Sequence, residues 1–119
     1  MSREYPSLTC FCPLYKGAKF IEGYMEDLVR QTIFDQVEFF ILDCNSPDHE
    51  AEVINKYTHH DNISYLRLEE DPGLFAGWNV SVKNTTSDLL TNWNVDDRKS
   101  PWSLEVMRDY LSLNSDIDL

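Results

Sequence analysis

The stretch Asn92-Trp93-Asn94-Val95-Asp96-Asp97-Arg98 sets two adjacent carboxylates directly behind an apolar run that includes Leu89, Leu90, Trp93 and Val95. Carboxylate oxygens suit Mg²⁺ and Mn²⁺, and a protein often supplies only one or two of them, with phosphate and water completing the shell. The same pair also fits a solvated acidic turn at a strand end. Arg98 is placed to meet a phosphate, and equally to pair with Asp96 or Asp97. A second polar cluster, Asp43-Cys44-Asn45-Ser46-Pro47-Asp48, also follows an apolar run. Other reactive residue types carry less. Cys10 and Cys12 lie two apart in a strand-like run, so they share a face and read as small buried apolar residues. With Cys44 the count is odd, which does not suggest a disulfide framework. His59 and His60 are adjacent at a helix end and point apart, which disfavours a shared metal. Glu69, Glu70 and Asp71 read as a solvated loop.

The elements that must position these groups follow from periodicity. Residues 7–13 are short, apolar and rich in buried types, which predicts a strand. In residues 17–32 the apolar positions Phe20, Ile21, Tyr24, Met25, Leu28 and Val29 form one helical stripe. Residues 37–43 are rich in aromatic and β-branched residues, a second buried strand. Asn45 to Asp48 is turn chemistry, with Asp48 expected to cap a helix over 49–60. Residues 63–68 alternate as a third strand, 74–85 read as a helix despite Gly77, Val80 and Val82, and 88–95 read as a fourth strand. Ser100-Pro101 opens a last helix, and residues 116–119 resemble the start of another strand. The order β-α-β-α-β-α-β-α predicts an α/β, Rossmann-like open sheet, mainly parallel, with helices on both faces. In such a sheet the ligand sits beyond the carboxyl ends of the strands. The polar stretches after strands 1, 2 and 4 all fall at that edge.

The 119 residues suffice for one domain over 1–119. A formal net charge of −11 argues against nucleic acid or an anionic membrane as the main partner. It is compatible with a nucleotide ligand whose phosphates are screened by a divalent cation. Nothing in the sequence is long and apolar enough to span a membrane, and the polar start gives no signal peptide, so a cytoplasmic location is expected. The sequons at Asn62, Asn79 and Asn84 then read as chance matches.

Four motifs in order give a resemblance over roughly residues 7–110. Pro13-Leu14-Tyr15-Lys16 with Leu28-Val29-Arg30-Gln31-Thr32, then Asp43 to Asp48, then Gly73 to Asn79, then Asn94-Val95-Asp96-Asp97, resemble the nucleotide-sugar-binding half of family 2 glycosyltransferases of the GT-A fold. The resemblance implies a bound nucleoside-diphosphate sugar and Mn²⁺ or Mg²⁺. It implies that Asp96 carries the metal, Asp97 lies near the sugar or the metal's waters, and Asn94 faces the ribose. It places Pro13, Leu14 and Tyr15 along the base, Asp43 at the base or ribose with Asn45 and Ser46 beside it, and Trp78 and Asn79 near the diphosphate or sugar. Two positions depart from the family pattern: Cys44 stands where a second acid is usual, and Asn94 stands for the first acid of D-x-D. The expected function is a glycosyltransferase or its donor-binding domain, transferring the sugar to an acceptor or hydrolysing the donor. The alternative is a binding or assembly module without transferase activity. The acceptor-binding half of the family follows the D-x-D strand, so no catalytic base is named. Apolar surface left without that half predicts a homo-oligomer.

Overall fold

The computed structural model describes residues 6–83 and 86–113. Strand β1 is Leu8–Leu14, β2 is Val37–Asp43, β3 is Ile63–Arg67 and β4 is Leu89–Asn92. Helix α1 is Ile21–Val29, α2 is Glu50–Ile54, α3 is Leu74–Lys83 and α4 is Ser103–Leu113. The four strands form one sheet in the order β3-β2-β1-β4, and all three pairings are parallel. The Rossmann-like expectation therefore holds, with β1 and β2 in the middle.

Register explains the core. The rows Cys10–Phe39–Ile63 and Cys12–Ile41–Tyr65 lie across one face, since side chains two apart point the same way. Ile21, Tyr24, Met25 and Leu28 of α1, Ile54 of α2, Trp93 and Leu104 of α4 join that face in a single buried cluster. The apolar stripe of α1 is thus the surface it buries, except for Phe20, which precedes the helix and is 42% exposed. Helix α3 takes the opposite face. There Gly77 faces the sheet, where a Cβ would lie 3.4 Å from Cys44 Sγ and 3.7 Å from Pro13 Cβ, ordinary contact distances.

Strand β2 begins and ends where its sequence pattern does, whereas other bounds differ. Helix α1 is shorter than 17–32: the chain turns first, with Phe20 N donating to the Gly17 carbonyl at 2.9 Å, and the helix runs from Ile21 to Val29. Helix α2 stops at Ile54 instead of reaching residue 60. Lys56, Tyr57 and His60 donate to carbonyls three residues back, so the chain tightens into successive turns. The adjacent histidines therefore sit beyond the helix, where His60 meets the Phe34 ring edge-on at 5.0 Å. Asp48 does not cap α2: the helix has no side-chain cap, and the Asp48 carboxylate accepts from Ala18 N at 3.3 Å. Strand β4 ends at Asn92 instead of Val95: Trp93 N still donates to the Phe11 carbonyl at 2.9 Å, and the chain then turns, with Asp97 N donating to the Asn94 carbonyl. Helix α4 starts two residues past Pro101. The strand expected at 116–119 lies outside the described residues.

Candidate functional site

Strand order brings the three polar strand ends together. Leu14 pairs with Asp43 at the carboxyl end of β1 and β2, and β4 flanks β1 on the other side. The segments after β1, β2 and β4 are thus neighbours along one edge, as the sequence reading required.

The β1 and β2 ends are laced by hydrogen bonds. Cys44 N donates to the Leu14 carbonyl at 2.8 Å. Ser46 is buried; its Oγ accepts from Lys16 N at 2.8 Å and donates to Glu50 Oε2 at 2.7 Å. Gly17 N donates to the same Glu50 oxygen at 2.9 Å. Of the residues expected along a base, Leu14 has its side chain in the core and its carbonyl engaged, Pro13 is half-buried, and Tyr15 is exposed at the edge. Ser46 is a joint between two loops in this structure, whereas Asn45 is exposed with a left-handed φ of 62°, a conformation asparagine tolerates.

Asp43 is wholly buried. Its Oδ1 accepts from Ser46 N at 2.8 Å, and its Oδ2 accepts from Tyr65 OH and from Arg67 Nη1, the latter at 2.8 Å. Arg67 also donates from Nη2 to Asn45 Oδ1 at 3.1 Å and to the Ser46 carbonyl at 2.9 Å. What this corner presents to solvent is therefore the Arg67 guanidinium, 43% exposed, and not the Asp43 carboxylate. Burial, then the bond to Asp43, pushes the Tyr65 phenol up to about 12. Tyr65 and Arg67 are site residues that the sequence reading missed. Their alternation within β3 was visible, but only the register sets Arg67 opposite Asp43.

The acid turn is fastened to the core. Trp93 is buried, meets Tyr24 edge-on at 5.2 Å, and donates from Nε1 to the Asp97 carbonyl at 2.8 Å. Asp97 N donates to the Asn94 carbonyl at 3.0 Å, closing the turn. Asn94, Asp96 and Asp97 are exposed. Asn94 Oδ1 accepts from Asn92 Nδ2 at 3.2 Å. Among the described residues no hydrogen bond or ion pair engages the Asp96 or Asp97 carboxylate. Arg98 pairs with neither; it binds Asp27 of α1, whose carboxyl is held below the ordinary range by that hydrogen bond, against the opposing effect of burial.

On α3, Asn79 is exposed, and the Trp78 side chain lies outside the described residues. The three thiols are free and buried, with burial raising each pKa and carrying Cys12 to about 12. Neutral thiols of this kind are core residues, not nucleophiles or ligands. No group of three or more His, Cys, Asp or Glu is arranged around a common point among the described residues.

A parallel sheet with helices on both faces and acids beyond the end of β4 is shared with the Rossmann-like half of GT-A glycosyltransferases. Residues 1–349 of TarS from S. aureus, solved in complex with UDP-GlcNAc, superpose with a TM-score of 0.84 at 20% identity, over 92% of this chain and 32% of that one. The mannosyltransferase PcManGT from Pyrobaculum calidifontis, solved with GDP-Man and Mn²⁺, gives 0.78 at 18% identity, over 92% and 33%. A family model for glycosyl transferase family 2 matches residues 9–117, and the chain belongs to that family. Similar curated proteins include the uncharacterized glycosyltransferase EpsJ of Bacillus subtilis (strain 168), 25% identical over 77% of this chain. Another is the UDP-Gal:alpha-D-GlcNAc-diphosphoundecaprenol beta-1,3-galactosyltransferase of Escherichia coli, 22% identical over the whole chain. The chain spans 26% and 44% of the lengths of these two relatives.

Proposed function

We propose that this chain binds a nucleoside-diphosphate sugar along the carboxyl edge of the sheet, with a divalent cation at Asp96, and serves glycosyl transfer. The observation that carries the reading is the acid turn: two exposed carboxylates without partners among the described residues, fixed beside the end of β1 in a family 2 glycosyltransferase chain. Their donor set fits Mn²⁺ or Mg²⁺, hard cations that take one or two carboxylates and complete their shell with phosphate and water. The complexes of structural relatives with UDP-GlcNAc and with GDP-Man and Mn²⁺ support the same ligand class.

Such a cation, when bound, neutralises charge that develops on the departing diphosphate. The chain's own groups supply the rest. Tyr15 offers an exposed ring for the base, and its neighbour Lys16 keeps a positive charge 5.5 Å from that ring. Asp43 acts from within, fixing Arg67 and the Asn45-Ser46 loop around the nucleoside end. The Asn94 amide can accept from a ribose hydroxyl without adding charge. In this reading Asp97 serves the sugar or the metal's waters, and Trp78 and Asn79 of α3 serve the diphosphate or sugar. The acceptor is unassigned. Donor hydrolysis follows if water reaches the sugar carbon.

A non-catalytic binding module is the second reading, favoured by Cys44 and Asn94 where the family carries acids. Among the described residues no helix is long and apolar enough to cross a membrane, and a cytoplasmic site of action is part of the proposal. Calorimetric titration of UDP, GDP and UDP-sugars with and without Mn²⁺, on wild type and Asp96→Ala, tests the donor site. Metal-dependent binding lost in the variant is expected; absence of nucleotide binding under every condition would leave the fold alone. Release of free sugar from a bound donor separates the enzyme from the binding module.

A further inference from the structure

We propose that Asp27 is a positioning residue of the acid turn: by holding Arg98 it keeps the Asp96 and Asp97 carboxylates free for a cation. The inference rests on the donor-site reading above. In sequence, two anions are followed at once by two cations, Arg98 and Lys99. In an exposed turn a guanidinium so close to two carboxylates would pair with them, fork to fork. In the folded chain both cations are drawn elsewhere. Arg98 Nε donates to Asp27 Oδ2 at 2.6 Å and Nη2 donates to Oδ1 at 3.0 Å. Lys99 N donates to Asp27 Oδ2 at 3.1 Å, and Lys99 Nζ lies 5.5 Å from the centre of the Trp93 ring.

Asp27 wins this competition for a physical reason. Its side chain is 7% exposed, and a buried carboxylate requires a counter-charge, whereas Asp96 and Asp97 are solvated. Helix α1 is also shaped for the guanidinium. Four residues before Asp27 stands Gly23, and a Cβ there would lie 2.9 Å from Arg98 Nη1 and 3.2 Å from Cζ. The carboxylate, the gap left by Gly23 and the backbone bond to Lys99 together direct the basic end of the turn onto α1. A divalent cation would supply the counter-charge that no side chain among the described residues gives these acids. Arg98 is accordingly a partner of Asp27 and pairs with neither acid of the turn.

Two binding measurements and one stability measurement test this. Mn²⁺ affinity without nucleotide is read by electron paramagnetic resonance, Mn²⁺-dependent UDP affinity by calorimetry, and folding by thermal melting. Asp27→Asn frees Arg98 to screen the acids, and Mn²⁺ affinity should fall about fivefold. Adding Arg98→Gln to Asp27→Asn should restore that affinity, although the clamp is then absent from both partners. A clamp that only stabilised the fold would leave the double variant as weak as the single one, and that result overturns the proposal, as does wild-type affinity in Asp27→Asn. If Asp27→Asn does not fold, Arg98→Gln at its exposed position decides: Mn²⁺ affinity at or above wild type supports the proposal, and a loss overturns it. Absence of Mn²⁺ binding in wild type, unchanged in Asp96→Ala, would remove the donor-site reading and this inference with it. Binding lost in Asp96→Ala but indifferent to Asp27 would remove this inference alone.

Discussion

Asp43 and Asp96 are both aspartates at strand ends, and the fold gives them opposite fates. Asp43 is buried and accepts three hydrogen bonds, from Ser46 N, Tyr65 and Arg67, whereas Asp96 is left to solvent. Asp43→Ala should therefore act on stability first. Leaving the Tyr65 hydroxyl and Ser46 N–H without an acceptor should cost about 2–3 kcal/mol, read as a lowered urea midpoint with unchanged slope. Asp27 adds a pH dependence. Its carboxyl is held below the ordinary range, chiefly by the Arg98 hydrogen bond. The folded state then binds fewer protons at this site than the unfolded chain. Its stabilisation is complete above the ordinary carboxylate range and fades as pH falls below about 4, through the depressed folded value. Urea unfolding from pH 7 to 3 should show a shallower acid loss in Asp27→Asn than in wild type.

The acid turn is only as fixed as the elements behind it. Trp93 joins the turn to α1 through the Asp97 carbonyl and the Tyr24 ring. Trp93→Phe keeps most of the apolar volume but removes the indole donor and leaves a buried gap. A loss of about 1–3 kcal/mol is expected, with hydrogen exchange of the Asp97 amide rising more than that of β2 amides. Helix α3 offers the opposite experiment. A Cβ at Gly77 would meet Cys44 Sγ and Pro13 Cβ at 3.4 and 3.7 Å, ordinary contact distances. Gly77→Ala should thus raise stability by about 0.5–1 kcal/mol through helix propensity, measurable as a higher melting temperature.

At the scale of the molecule, one helix face stands out. Trp102, just before α4, and Val106, Tyr110 and Leu113 along it recur at helical spacing and are 58%, 58%, 52% and 68% exposed. Such a stripe favours association, in keeping with the oligomer expected from the sequence. Sedimentation velocity over a hundredfold concentration range should show mass above 13.9 kDa at the upper end. Val106→Glu should return it to a monomer. A single monomeric species at every concentration would remove the self-association expectation.

Much of this protein is written locally in its chain. Strand β2 is legible from end to end because five of its seven residues, Val37 and Phe39 to Leu42, are apolar, aromatic or β-branched, with turn chemistry following. The stripe on α1 and the shared face of Cys10 and Cys12 follow from the helical and strand repeats, which need no knowledge of distant neighbours. The edge where the polar strand ends gather follows from parallel βα order. Pairing choices are not local. Residues 92–98 offer Arg98 two acids next to it, yet its partner lies 71 positions away, and only the packing of α1 beside the turn selects Asp27. Register likewise sets Tyr65 and Arg67 against Asp43, so that the carboxylate is buried beneath a partly exposed arginine. The sequence by itself determined the elements and the edge where chemistry gathers, because repeats of two and 3.6 residues encode burial directly. The tertiary structure alone decided which charges cancel and which stay open, because electrostatic partners are settled by distance and desolvation in space.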